Sequence, residues 1–105
     1  MPEGLKIYAQ GVKSKIESET NAFCIICADP CFGACDYDTD FKQYADVLIQ
    51  FGHSNIPSMN ASSDVLFVEV FFDFEVNDII EKILPELGSK IGLVSAVQYV
   101  NLLPK

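Results

Sequence analysis

The apolar run Ala22–Ala28 stops at Asp29-Pro30, and that stop limits what this chain can fold into. Proline has no N–H to give to a ladder, so a strand that meets one ends there or lies at an edge. Gly33 then lets the backbone turn tightly, inside the loop Asp29-Pro30-Cys31-Phe32-Gly33-Ala34-Cys35-Asp36. A second apolar run, Asp46–Phe51, ends in Gly52-His53-Ser54. If both runs are parallel strands of one sheet, both loops leave at the same edge, where open α/β sheets hold their ligands. Cys35 and His53 are the residues this arrangement singles out.

The remaining segments fit the same plan. Pro2–Ser18 has Leu5, Tyr8, Val12 and Ile16 at helical spacing, with Lys6, Lys13, Lys15 and Glu17 on the other side. Pro2 suits a first turn, and Thr20-Asn21 ends the helix. Phe23–Ala28 is short and continuously apolar, which predicts a strand covered on both faces. Asp38 or Thr39 can cap a short helix through Phe41, Tyr44 and Ala45. Residues 55–64 form a polar loop, long for an α/β connection. Val65–Phe72 reads as a third strand, with Glu69 marking an exposed face or edge, since an unpaired buried carboxylate is costly. Val76–Leu87 predicts a helix that buries Val76, Ile79, Ile80, Ile83, Leu84 and Leu87, with Pro85 tightening its last turn and Gly88 stopping it. Lys90–Val97 predicts a fourth strand. The tail from Gln98 to Lys105 is apolar enough to need a packing partner. Strands alternating with helices predict a single α/β domain over residues 1–105, a four-stranded mainly parallel sheet flanked by about three helices.

Charge narrows the partners. A net charge of −8 with seven Lys and Arg residues in all argues against nucleic acid, whose binding rests on those side chains. An acidic surface serves solubility first, and a basic protein patch second. No apolar run approaches the roughly 20 residues of a membrane span, and no signal peptide is visible. A cytoplasmic setting follows, in which four cysteines point to reduced thiols, a metal or a cluster rather than a disulfide framework.

The four cysteines do not read alike. Cys24 and Cys27, three apart in a strand, point to opposite faces and cannot share a metal, so they read as small buried hydrophobes. Cys31 and Cys35 lie in the loop, where the backbone can aim a thiolate. Two thiolates are too few for a four-ligand zinc site or for the usual four-cysteine iron–sulfur site, and recruiting His53 gives three. The site is therefore incomplete or shared with other chains or domains. Zinc held by Cys31 and Cys35 of two chains is a weaker alternative. Asp29 ends its run in the same way as His53, and its plainer role is to start the Asp-Pro turn. No Gly-x-Gly-x-x-Gly or Walker-type loop appears, so phosphate cradling is unsupported. A Cys35–His53 hydrolase pair is conceivable but has no local signature.

Taken together, Asp29-Pro30-Cys31-Phe32-Gly33-Ala34-Cys35-Asp36 and Ala45-Asp46-Val47-Leu48-Ile49-Gln50-Phe51-Gly52-His53-Ser54 resemble the first domain of the diphthamide synthase family, the archaeal-type 2-(3-amino-3-carboxypropyl)histidine synthases. Pro2-Glu3-Gly4-Leu5 resembles the opening of that domain, and Lys90-Ile91-Gly92-Leu93-Val94 with Gln98 its closing strand. The resemblance implies a dimeric, three-domain enzyme whose related α/β domains each supply one cysteine to a [4Fe–4S] cluster. That cluster binds S-adenosylmethionine and reductively cleaves its Cγ–S bond, and the aminocarboxypropyl group passes to a histidine of translation elongation factor 2.

By motif position the resemblance makes Cys35 the cluster ligand of this domain. It places Gly33 and Ala34 in the backbone around the cluster and His53 and Ser54 along the neighbouring pocket, and it carries no ligand role onto Cys31. It also implies that an upstream segment and two further domains lie outside this sequence. The chain is thus expected to be an N-terminally truncated piece of the first domain, inactive alone, with its tail at Leu102 and Leu103 leading to the next. The alternative is a small acidic α/β binding or oligomerisation module without catalysis, which assembles with itself, as a homo-oligomer, or with a partner through an exposed strand edge or its apolar tail.

Overall fold

A computed structural model describes residues 1–103. The chain opens with a 3₁₀ segment, Glu3–Tyr8, that runs directly into helix α1, Ala9–Glu19. Leu5 is buried and Val12 and Ile16 are half-buried, as the spacing predicts, but Tyr8 is exposed. The change from three to 3.6 residues per turn at Tyr8 takes its ring off that face. Thr20 closes the helix, its N–H and its hydroxyl both donating to the Ile16 carbonyl at 3.0 and 2.8 Å.

Residues 22–28 join no ladder, contrary to the strand their composition predicts. Their backbone groups find partners on α1 and the turn before it. The ammonium of Lys13 donates to the Cys24 carbonyl at 2.7 Å, the Glu17 carboxylate accepts from the Cys24 N–H at 2.8 Å, and Lys6 donates to the Ala28 carbonyl. Side chains thus satisfy groups that a neighbouring strand would otherwise have to satisfy. Phe23, Ile25 and Ile26 remain exposed. A slot of about 980 Å³ separates this segment and α1 from the first strand.

The sheet has two parallel strands among the described residues, β1 (Leu48–Phe51) and β2 (Val65–Val68), in register Leu48 with Val65 and Phe51 with Val68. Both are shorter than the apolar runs that contain them. Two bonds frame the ladder: Leu48 N–H to the Asp64 carbonyl at 2.9 Å, and Gly52 N–H to the Val68 carbonyl at 2.8 Å. Residues 52–64 make the crossover, a length parallel pairing requires, with a 3₁₀ turn at Pro57–Met59 and a left-handed Asn60. Before β1, Phe41–Gln43 forms a single 3₁₀ turn preceded by Asp40 rather than by Asp38 or Thr39. The Asp38 carboxylate instead accepts from the Asp40 N–H at 2.8 Å. A 2.7 Å ion pair from Lys42 to Asp64 ties this turn to the start of β2.

Helix α2, Asn77–Ile83, continues as a 3₁₀ turn at Leu84–Glu86, where Pro85 tightens the backbone as expected. Its predicted buried face is not buried. Ile79, Ile83, Leu84 and Leu87 are exposed, and Val76 and Ile80 are half-buried, because no layer of the described residues covers them. Lys90–Val97 forms no strand among the described residues, and Val94 is 95% exposed. A 3₁₀ segment, Val97–Leu102, follows. It packs on residues 72–74: the Phe72 N–H donates to the Gln98 carbonyl at 2.7 Å, and Tyr99 stacks on Phe72 at 5.5 Å. The apolar tail therefore has a partner in its own chain as far as it is described; its last residues, Pro104 and Lys105, lie outside the described residues.

The architecture is α/β with one parallel strand pair, in place of the expected four strands. Among the described residues, Leu5, Cys31, Phe41 and Val65 are the buried apolar side chains, and Gln50 is buried as well. A radius of gyration of 17.4 Å, against about 13 Å for a closed domain of this length, matches the uncovered faces of α2 and residues 22–28. Among the described residues, no helix is long and apolar enough to cross a membrane.

Candidate functional site

β1 and β2 run parallel, so the segments that follow them leave at one edge. Gly52 turns the chain there with φ +88°, a left-handed value that favours glycine. A Cβ on Gly52 would lie 2.8 Å from Cγ of Pro2, so the turn also depends on the missing side chain. Gln98 donates to the Gly52 carbonyl from the far end of the chain.

The Cys35 loop is held against this edge by backbone and buried groups. Asp36 N–H donates to the Gly33 carbonyl at 3.2 Å, and the Asp36 carboxylate accepts from Phe32 N–H at 2.9 Å, closing the turn on itself. The buried Gln50 amide on β1 donates to the same Gly33 carbonyl at 3.3 Å. Cys31 N–H donates to the Met1 carbonyl at 3.2 Å. The turn leaves Cys35 exposed, Gly33 and Ala34 half-buried beneath it, and Cys31 buried. A Cβ on Gly33 would stand 3.8 Å from the Cys35 sulfur, ordinary contact, so space alone does not demand glycine there.

His53 and Ser54 are half-buried at the end of β1. The His53 Nδ1 lies 3.9 Å from the Cys31 sulfur. Burial disfavours the imidazolium and pushes the His53 pKa below its ordinary value, helped by the N-terminal ammonium and opposed by Asp36. Ser54 donates to the Glu69 carboxylate at 2.5 Å. Glu69 is exposed, as the sequence predicts, but it stands just past the end of β2 rather than on a strand face.

The structure thus brings Cys31 to His53, the Cys35 turn to β1, and Ser54 to Glu69. It does not bring Cys31, Cys35 and His53 into one metal-binding group: among the described residues, no three His, Cys, Asp or Glu side chains converge that way. An exposed thiol at the tip of an anchored turn suits one ligand of a shared centre, and the donor set does not suit a whole [4Fe–4S] cluster. All four cysteines are free thiols. Cys24 and Cys27 depart from the buried role expected of them, Cys24 being half-buried and Cys27 exposed, because their segment stands off the sheet. Cys27 lies close to Tyr44, whose phenol is pushed up chiefly by its hydrogen bond to Asp38.

Sequence reasoning missed two partners, Glu69 and the Cys31–His53 contact. The signal for Glu69 was its place as the one charge inside the apolar run Val65–Phe72.

The fold and this edge define a parallel α/β unit with a candidate site where its strands end. The sequence profile of the diphthamide synthesis protein family matches residues 1–105. The chain is 32% identical to 2-(3-amino-3-carboxypropyl)histidine synthase subunit 1 of Nematostella vectensis, covering 97% of this chain and 23% of the relative. It is 34% identical to the Bos taurus protein of that name (98% and 25%) and 32% identical to the Homo sapiens one (98% and 25%). The chain spans about a quarter of the length of these curated relatives. It belongs to the diphthamide synthesis protein family.

Proposed function

We propose that this chain is one cysteine-bearing domain of a cytoplasmic, dimeric transferase of three related domains. That enzyme moves a 3-amino-3-carboxypropyl group from S-adenosylmethionine to a histidine of translation elongation factor 2, the first step of diphthamide synthesis. Family membership and the relatives' printed name, which describes the modified histidine, support the reaction. In this reading Cys35 supplies one thiolate to a [4Fe–4S] cluster whose other ligands come from elsewhere in the assembly, and Cys31 supplies none. The observation that carries the assignment is the Cys35 turn: an exposed thiol on a loop pinned to β1 through Gln50 and Gly33, with no complete ligand set around it among the described residues.

Cys35 would help hold the cluster, which when bound would supply the electron for reductive cleavage of the sulfonium Cγ–S bond. Methylthioadenosine would leave, and the alkylated imidazole would give back one electron and one proton, so the transfer is redox-neutral overall. The chain's own residues orient and enclose. Gly33 and Ala34 bring backbone close beneath the Cys35 sulfur. His53 and Ser54 wall the neighbouring space, where burial favours the neutral form of the imidazole. The same reading has residues 22–28 and 90–97 complete a four-stranded sheet in the assembled enzyme, and their exposed apolar side chains suit that place.

Anaerobic reconstitution tests this, with iron and sulfide counted per polypeptide. In the complete enzyme, Cys35→Ala is expected to lose the cluster and group transfer while Cys24→Ala keeps both. The 105-residue chain alone is expected to take up no stoichiometric cluster. A Cys35→Ala enzyme with full cluster content overturns the ligand assignment.

A second reading rests on the exposed apolar side chains of Ile79, Ile83, Leu84 and Val94: an acidic module that binds a partner or itself without catalysis. Sedimentation of the chain as a monomer at high concentration counts against self-association.

A further inference from the structure

We infer that Glu69, with Ser54, forms the acceptor site for the α-ammonium group of the aminocarboxypropyl donor, an inference that rests on the transferase reading above. Four observations on the chain lead to it.

Glu69 directly follows β2 and Ser54 closely follows β1, and the two strands are parallel, so both residues stand at the edge that carries the Cys35 turn. The Ser54 hydroxyl donates to Oε1 of Glu69 at 2.5 Å. Among the described residues, neither a lysine nor the histidine forms an ion pair with Glu69; the lysine pairs go to Glu3, Glu17, Glu19 and Asp64. Glu69 also interrupts the most apolar stretch of the chain, Val65–Phe72, where a charge is costly to strand formation and β2 stops short of it.

The chemistry selects the ligand. A hydroxyl that spends its one proton on a carboxylate keeps its lone pairs as acceptors, and the carboxylate keeps further acceptor positions. The pair thus presents two adjacent oxygens and one negative charge, and no donor. An anion or a carbonyl finds nothing to bind there, whereas a primary ammonium has three N–H donors and a matching charge. A sulfonium has the charge but no N–H, so the amino-acid end of the donor is the part that satisfies this pair. The ammonium held there would set the carbon chain beside the turn that carries Cys35.

The test is ligand binding to the complete, anaerobically reconstituted enzyme by calorimetry, with Glu69→Gln and Glu69→Asp beside the wild type. The probes are S-adenosylmethionine and its analogue lacking the α-amino group. Glu69→Gln is expected to weaken S-adenosylmethionine by about tenfold or more, the range for a hydrogen bond to a charged group. Its affinity for the des-amino analogue should stay at the wild-type value, and Glu69→Asp should recover part of the loss. Iron and sulfide content should be unchanged in both variants. Equal weakening of the two ligands makes Glu69 a structural residue and overturns the inference, as does no weakening of either. A wild-type enzyme with a full cluster and no affinity for S-adenosylmethionine refutes the transferase reading itself, and the ammonium site with it.

Discussion

The Cys31 sulfur lies 3.9 Å from Nδ1 of His53, so a buried thiol of the loop meets the imidazole that ends β1. Through this contact the loop and the strand edge share one local environment, and His53 reports on it.

His53 should titrate below the ordinary histidine value of about 6.5. Burial is the largest cause, then the N-terminal ammonium, with Asp36 pulling the other way. Because the folded state prefers the neutral ring, the contribution of this group to stability is complete above the unfolded pKa and is lost as pH falls through the lower, folded one. Asp36→Asn should lower the His53 pKa further. As the single histidine, its ring protons give an unambiguous NMR titration, and a midpoint at or above 6.5 contradicts the prediction.

Alkylation should separate the four thiols by exposure. Cys27 and Cys35 are exposed, Cys24 half-buried and Cys31 buried, so limited iodoacetamide at neutral pH should modify Cys27 and Cys35 first and Cys31 last. Peptide mass mapping over time reads the order. Early modification of Cys31 means that the loop does not shield it.

Two glycine substitutions should move stability in opposite directions. Gly52→Ala combines a left-handed φ with a Cβ pressed on Pro2 and Leu5, and should destabilise by about 1–3 kcal/mol. Gly11→Ala adds a methyl in open space on α1 and should stabilise by up to about 1 kcal/mol. Urea midpoints of the two variants give both signs, and a neutral Gly52→Ala would falsify the close approach to Pro2.

Gln50→Leu should loosen the Cys35 turn. It removes the donor to the Gly33 carbonyl, a net loss of about 1 kcal/mol for a neutral hydrogen bond. Hydrogen exchange at the Asp36 amide, which bonds to the same carbonyl, should quicken by about fivefold. Unchanged exchange there, with exchange in β1 also unchanged, shows that the turn holds without Gln50.

How much of this was legible in the sequence depends on whether a signal was local. Gly33 lies in the turn expected after Pro30, and Gly52 ends β1 with its left-handed φ, so the turn and the strand edge stand where those residues put them. The stop at Thr20 follows likewise from its own chemistry, whereas the helix expected from Pro2 is 3₁₀ over Glu3–Tyr8 and becomes α-helical only at Ala9. Ala22–Ala28 and Lys90–Val97 carry a different kind of signal. Apolar composition says that a segment wants cover, and it does not say which chain provides it. In the structure, Lys6, Lys13 and Glu17 satisfy backbone groups of the first segment, and Val94 of the second stays exposed. The same limit explains α2, whose apolar spacing marks a face without saying whether anything covers it. Glu69 and the Cys31–His53 contact escaped because each depends on register between segments far apart in sequence.

Gly52 has a practical consequence for handling the protein. Its absent side chain makes room for Pro2, its carbonyl receives Gln98, and nearby the Met1 carbonyl takes the Cys31 N–H. The first residues of the chain are therefore part of the floor beneath the Cys35 turn. An alteration at Met1 or Pro2 would be built into that floor, and a protein prepared with one would report on the alteration as much as on the site.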